Sequence, residues 1–76
     1  MNLQNWVNEA RAHWKEFLPN RYAEFDKAGI LDRELQTAAR LTAVDMDAFQ
    51  NAGLSWDEAW ERSRNEYLFL PEEPAQ

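Results

Sequence analysis

Large apolar residues recur along this chain at alternating intervals of four and three, which is the spacing of one face of an α-helix. In the first segment this stripe consists of Leu3, Val7, Ala10, Trp14 and Phe17. Later stripes consist of Leu35, Ala39, Thr42, Met46 and Phe49, and of Trp56, Trp60, Ser63 and Tyr67. No stretch alternates apolar and polar side chains as a half-buried strand does. The pattern therefore predicts an all-α protein.

Prolines, glycines and capping residues predict four helices, near residues 3–18, 19–28, 32–52 and 55–69. Pro19 should end the first helix, because the residue before a proline disfavours the α conformation, and should then open the second. Gly29 and Gly53 supply the left-handed positions after the second and third helices. The expected N-caps are Asn2 or Asn5, then Asp32, and finally Ser55, which forms a capping box with Glu58.

These helices are expected to pack as a compact bundle of three longer helices and one short helix. A chain of 76 residues forms one domain, which we assign to residues 1–70, followed by a frayed acidic tail at residues 71–76. A core this small depends on bulky side chains. The residues expected to form it are Trp6, Trp14, Phe17, Tyr22, Phe25, Leu35, Met46, Phe49, Trp56 and Trp60.

The net charge of −6 narrows the classes of partner. Nucleic acids and anionic membranes are bound through basic groups, so neither is expected here. The chain has no cysteine, which excludes disulfides and thiolate chemistry. Its N-terminal residues lack the basic and apolar segments of a signal peptide, and no apolar run approaches the length of a membrane span. We therefore expect a cytoplasmic protein.

Residues capable of catalysis or metal binding are few. His13 is the only histidine and lies on the flank of the first apolar stripe. Asp57 and Glu61 are four residues apart and share a helix face, but acids near a helix N-terminus are ordinarily solvated and favoured by the helix dipole. We find no nucleophile placed beside a base, no glycine-rich phosphate loop and no ligand cluster. We therefore expect that the protein is not an enzyme and that it binds no metal ion and no cofactor.

The stretch "YLFLPEEP", residues 67–74, places four large apolar residues before a proline and two acids. Successive helical side chains diverge by about 100°, so burying Tyr67 turns Phe69 away from the core. We expect Tyr67 and one of Leu68 or Leu70 to hold this segment on the bundle, with Phe69 exposed. The alternative is that the whole segment folds over the core as a lid. The candidate protein-binding surface comprises Phe69, Leu70, Glu72, Glu73, Asp57 and Glu61.

The segment "AWERSRNEYLFLPEEP" resembles the C-terminal end of small uncharacterised proteins of proteobacterial phages and prophages. There the pattern is a capped A-W-E turn, an arginine, and then Y-L-x-L-P-E-E. The similarity covers residues 53–74, with weaker similarity in "AAR" and "GILD". It implies a gene of a phage or mobile element, expressed in the cytoplasm of a bacterial host.

Together these observations predict a small non-enzymatic module that binds a host or phage protein, or pairs with a second copy as a homodimer. The alternative is an acidic inhibitor that mimics nucleic acid and blocks a host defence complex. Some anti-CRISPR proteins resemble this chain in size and acidity, although not in motif.

Overall fold

The computed structural model describes residues 3–74. Within that range the chain forms four α-helices and no strand: α1 (Leu3–Phe17), α2 (Pro19–Lys27), α3 (Leu31–Asn51) and α4 (Trp56–Tyr67). The prediction of an all-α protein is confirmed. Each helix begins and ends within two residues of its predicted limits.

The local signals around the helix ends operate as the sequence predicts. Pro19 stands in the first turn of α2, and Gly29 and Gly53 follow α2 and α3 with φ angles of 74° and 104°. The capping box of α4 is formed, since the Ser55 hydroxyl accepts a hydrogen bond from the Glu58 N–H at 3.2 Å and the Ser55 N–H donates to the Glu58 carboxylate at 3.1 Å. The bond from the Ser55 backbone is the main reason why the pKa of Glu58 is lowered.

The predicted cap of α3 is wrong. Helix α3 begins at Leu31, one residue earlier than expected, and Ile30 takes the N-cap position without a side-chain hydrogen bond. Leu31 is only 6% exposed, so burial of its side chain takes precedence over capping by Asp32. The Asp32 carboxylate instead accepts a hydrogen bond from Arg11 of α1, and this bond raises the pKa of Arg11.

Of the two residues expected to cap α1, the structure tests only Asn5. Asn5 lies inside α1, so the expectation that it caps this helix is wrong. Asn2, the other candidate, lies outside the described residues.

Helix α3 is the central element and packs against each of the other three helices. Its buried residues are Leu31, Leu35, Ala38, Ala39, Thr42 and Met46. Two adjacent alanines leave room for close approach by a neighbouring helix. The hydroxyl of Thr42 donates to the Ala38 carbonyl of the same helix at 2.9 Å, so this buried polar group needs no partner from another element.

The predicted core is correct at its centre and wrong at one end. Trp6, Trp14, Leu35 and Met46 are buried, while Phe17, Tyr22, Phe25, Phe49 and Trp60 are half-buried. Trp56 is 45% exposed, contrary to the prediction that it is buried. Because helical side chains lean toward the N-terminus, the side chain of this first residue of α4 projects past the end of the helix.

After α4 the chain turns back along α1. Leu68 is completely buried, and its carbonyl accepts a hydrogen bond from the indole Nε1–H of Trp14 at 2.8 Å. Two residues later the Leu70 carbonyl lies 2.7 Å from Nε2 of His13. A carbonyl oxygen only accepts hydrogen bonds, so this ring nitrogen carries the proton.

Glu73 completes α2, whose N-cap residue Leu18 offers no side-chain hydrogen bond. The Glu73 carboxylate accepts hydrogen bonds from the backbone N–H groups of Asn20 at 2.8 Å and Arg21 at 3.2 Å. Its own N–H donates to the Phe17 carbonyl at 3.0 Å. The sequence predicts that Glu73 is part of a frayed tail, and for this residue the prediction is wrong, because Glu73 packs against α2. Residues 75 and 76 lie outside the described range.

A pair of acids lies across the contact between α3 and α4. The main cause that raises the pKa of Glu66 is a hydrogen bond with the carboxyl group of Asp45. Such a bond between two carboxyl groups requires that one of them be protonated. Burial adds to this shift. The negative charge of Asp45 is also the main cause that raises the pKa of the neighbouring Tyr67. The two carboxyl groups are therefore close enough to repel each other when both are ionised.

Replacing Glu73 by alanine should lower the free energy of unfolding by about 1 kcal/mol, the usual cost of losing a helix N-cap. Glu72→Ala is the matched control, because Glu72 is exposed and its removal should change stability by less than about 0.5 kcal/mol. Urea unfolding followed by far-UV circular dichroism measures both. Equal stability of the two variants would mean that Glu73 does not cap α2.

Replacing Glu66 by glutamine should stabilise the protein at neutral pH and remove a pH dependence. Because the folded state raises the pKa of Glu66 above its ordinary 4.5, the folded protein holds the proton more tightly than the unfolded chain does. The stability that protonated Glu66 contributes is fully present below the pKa that Glu66 has in the unfolded chain. It is lost as the pH rises through the higher pKa that Glu66 has in the folded protein.

The difference between Glu66→Gln and the wild type should therefore vanish below about pH 4 and grow toward neutrality. Urea unfolding across this range measures it, with Glu72→Gln as a control for the loss of one negative charge. A Glu66→Gln effect that is constant with pH would contradict the shared proton.

Candidate protein-binding surface

Helix α1, helix α4 and Phe69, which follows two residues after α4, contribute a connected group of rings, which we call the aromatic seam. Its members are Trp56, Trp60, Trp6, Phe69, His13 and Phe17. The seam runs from a strongly exposed indole at one end to half-buried rings at the other.

Three indoles form a stack at the exposed end of the seam. The ring centroids of Trp56 and Trp60 are 5.7 Å apart, with an interplanar angle of 21°. Those of Trp60 and Trp6 are 5.2 Å apart, with an angle of 23°. Both distances lie in the range of favourable aromatic pairs. Because Trp6 is buried in the core, the stack connects the exposed Trp56 to the interior of the protein.

Phe69 joins the indole stack to the second half of the seam. Its ring meets that of Trp60 edge-on, at 6.1 Å and 86°, and lies 5.4 Å from the ring of His13. The ring of His13 is in turn 4.7 Å from that of Phe17. Phe69 is half-buried and packs against the core cluster, so it is less exposed than the sequence suggested.

Exposed acids border the seam on both helices. On α4, Asp57 follows Trp56 directly and lies three residues before Trp60, and Glu61 lies four residues beyond Asp57. Residues three or four apart are neighbours on a helix surface, so these two acids form the row next to the indoles.

On α1 the same spacing places Glu9 three residues after Trp6 and four before His13, and Glu16 three residues after His13. Both side chains are exposed. A cation, Arg64, stands on the seam side of α4, four residues after Trp60, and its carbonyl accepts the Phe69 N–H at 2.8 Å. Arg64 therefore lies toward the Phe69 end, away from Trp56.

The residues assigned to a binding surface from the sequence fall in four places. Phe69, Asp57 and Glu61 belong to the seam or its border. Leu70 lines a groove described below, and Glu73 caps α2. Glu72 is exposed, with no hydrogen bond or ion pair to the rest of residues 3–74.

The sequence does not predict that Trp56 lies at the surface. The spacing of Trp56 and Trp60 signals one helix face, which predicts that both are buried, whereas Trp60 is half-buried and Trp56 is exposed. The sequence predicts that His13 lies on a helix flank. It carries no signal for the contact between His13 and Phe69, because Phe69 is far from His13 along the chain.

Apart from the aromatic seam, the surface has a groove of about 250 Å³ between α2, α3 and α4. Its apolar lining includes Trp14, Phe25, Leu41, Tyr67 and Leu70, and its charged lining consists of Arg21, Glu34 and Glu66. Leu41 is itself 41% exposed, so the groove is open to solvent. The mixture of one cation and two acids gives this groove no single charge preference.

The part of the chain that the structure describes contains no candidate metal site and no candidate membrane-spanning helix. Within residues 3–74, no three histidine or carboxylate side chains converge as metal ligands do. The helices of this range are also too short or too polar to cross a membrane.

Comparison of the chain with protein-family models, with curated proteins and with solved structures finds no match in any of the three. What the aromatic seam can bind is therefore inferred from its own geometry and charge.

Proposed function

We propose that this protein is a small non-enzymatic module that binds another protein through the aromatic seam. The observation that carries the proposal is the exposure of Trp56, which is 45% open to solvent although its ring is held in an ordered stack. Tryptophan is among the residues most enriched at the centres of protein interfaces. An exposed indole in a domain this small is a large apolar surface left out of the core.

The stack also makes Trp56 a suitable anchor for a partner. Trp60 supports one face of its ring, and Trp60 is fixed in turn by Trp6 and Phe69. A side chain that is already ordered loses little conformational entropy on binding. The border of exposed acids then supplies the polar rim that surrounds the apolar centre of most interfaces.

The proposed absence of catalysis is supported by the structural roles of the reactive groups. His13 donates to the Leu70 carbonyl and contacts two aromatic rings. The Ser55 hydroxyl belongs to the capping box. Ser63 is completely buried, and its hydroxyl has no hydrogen-bond partner within residues 3–74, so no base is placed to activate it.

The cellular context is part of the proposal. The resemblance of residues 53–74 to the C-terminal end of phage and prophage proteins supports an origin in a phage or mobile element. On that basis the partner is a host or phage protein in the bacterial cytoplasm.

A second candidate function is that of an acidic inhibitor, which mimics nucleic acid and blocks a host defence complex. The observation in its favour is that Asp57, Glu58, Glu61 and Glu66 of α4 are all exposed. Against it, Glu58 is committed to the capping box and Glu66 to the contact with Asp45. The remaining acids are fewer than a long nucleic-acid channel would engage.

Trp56→Ala should strongly weaken partner binding while leaving the protein folded. We expect the free energy of unfolding to fall by about 1 kcal/mol, because one aromatic pair is lost from a partly exposed site. Loss of an interface anchor should weaken binding by roughly 30-fold or more.

The measurement is quantitative mass spectrometry of proteins captured from a bacterial lysate on immobilised wild type and variants, with urea unfolding of the same proteins. Val44→Ala is the matched control, because Val44 is 64% exposed on α3 and lies outside the seam. Equal capture by the two variants would exclude the seam as the binding surface.

Salt should separate the two candidate functions. A nucleic-acid mimic occupies a basic channel through many charge pairs, so its affinity should fall by a factor on the order of a thousand between about 50 and 200 mM salt. Binding anchored by Trp56 should weaken much less, because the apolar contact is not screened. The affinity of the captured partner, measured by calorimetry at both salt concentrations, decides between them.

A further inference from the structure

We infer that the aromatic seam takes a basic protein segment that stacks an arginine side chain on Trp56. This rests on the protein-binding function proposed above and adds the chemistry of the partner. Three observations lead to it: the face of one indole that Trp60 does not cover, the sign of the charges that border the seam, and the lack of an ion pair to any of these acids within residues 3–74.

The geometry of the stack determines which part of Trp56 a partner can reach. Trp60 lies against one face of the Trp56 ring, with the two planes only 21° from parallel. Trp60 does not cover the opposite face and the ring edges, and Trp56 as a whole is 45% exposed. A flat group that lies on this outer face extends the row of stacked rings by one member.

The charges around the seam favour a cation in that place. Glu9 and Glu16 border it on α1, and Asp57 and Glu61 border it on α4, all with exposed side chains. Within residues 3–74 the ion pairs join Arg11 to Asp32 and Arg33 to Glu34. The acids of the border are therefore not neutralised by ion pairs inside the described fold.

Arginine fits this combination better than lysine does. Its guanidinium group is planar, stacks on an indole face through cation–π attraction, and still donates hydrogen bonds from its edge to carboxylates. Asp57 directly follows Trp56, and Glu61 lies one turn later on the same helix, so these are the exposed carboxylates of α4 that such a guanidinium would meet first. A lysine ammonium offers a point charge without the flat surface.

The same charges disfavour a second copy of this chain as the occupant. A two-fold contact brings identical surfaces together, so the acids of one seam border would meet those of the other. Like charges set opposite each other across an interface oppose association. Nucleic acid is disfavoured in the same way.

The test is a titration of the ¹⁵N-labelled protein with a capped Arg-Gly-Arg peptide, followed by the indole N–H signals in two-dimensional NMR. The signals of Trp56 and Trp60 should move. That of Trp14 should not, because its indole is buried and bonded to Leu68. A Lys-Gly-Lys peptide should bind roughly two- to five-fold more weakly than the arginine peptide, and Glu-Gly-Glu should leave all signals unchanged.

Variants then test which acids of the seam border contribute to binding of the arginine peptide. Asp57→Asn and Glu61→Gln should each weaken binding of the arginine peptide. Asp47→Asn, which removes one exposed carboxylate from α3, should not. Trp56→Leu keeps an apolar side chain but should abolish the preference for arginine over lysine.

Four results would overturn the inference: no movement of the Trp56 signal with Arg-Gly-Arg, an equal response to Glu-Gly-Glu, an equal effect of Asp47→Asn, or signals that move with protein concentration alone. The last would place a second copy on the seam. If the arginine peptide fails while capture of a partner still depends on Trp56, the protein-binding function stands and only the partner chemistry is wrong. If the peptide binds while capture ignores Trp56→Ala, the proposed function fails and the preference of the seam for arginine is supported.

Discussion

The hydrogen bond from the indole of Trp14 to the carbonyl of Leu68 determines how the chain beyond α4 is placed. Leu68 is completely buried at the point where α4 ends, and its carbonyl has no acceptor role inside the helix. Left unpaired, such a group would cost about 1–3 kcal/mol. Once Trp14 satisfies it, the next residues follow: Phe69 enters the seam and the Leu70 carbonyl reaches His13. The position of the last described residues, and with it the Phe69 end of the candidate binding surface, is fixed by this contact.

Features set by neighbouring residues could be predicted from the sequence. The four-and-three spacing, Pro19, the two glycines and the capping box of Ser55 and Glu58 all act over a few positions, and their consequences are found as expected. Asp32 shows the limit of this reasoning. Its residue type favours capping, but the burial of Leu31 against the rest of the protein shifts the start of α3 by one residue. Periodicity likewise gives the face on which Trp56 lies, but not how far the neighbouring helix extends to cover it.

The candidate surface was predicted in part. Phe69, Asp57 and Glu61 do lie along one surface, because α4 carries two of them and the third follows two residues after its end. Its main rings were not foreseen, since the contact between Trp6 and Trp60 joins residues from opposite ends of the sequence. The hydrogen bonds of Glu73 to α2 are equally distant along the chain. Spacing within one helix carries no information about such pairs.

The capping of α2 by Glu73 has a consequence for how the protein folds. Helix α2 buries no residue completely, and the group that caps it lies 53 residues away along the chain. Closing a loop of that length costs chain entropy before the contact is gained. Helical proteins usually fold fast because their contacts are local. The shortest helix therefore reaches its full stability only when residues from the other end of the chain have returned to it.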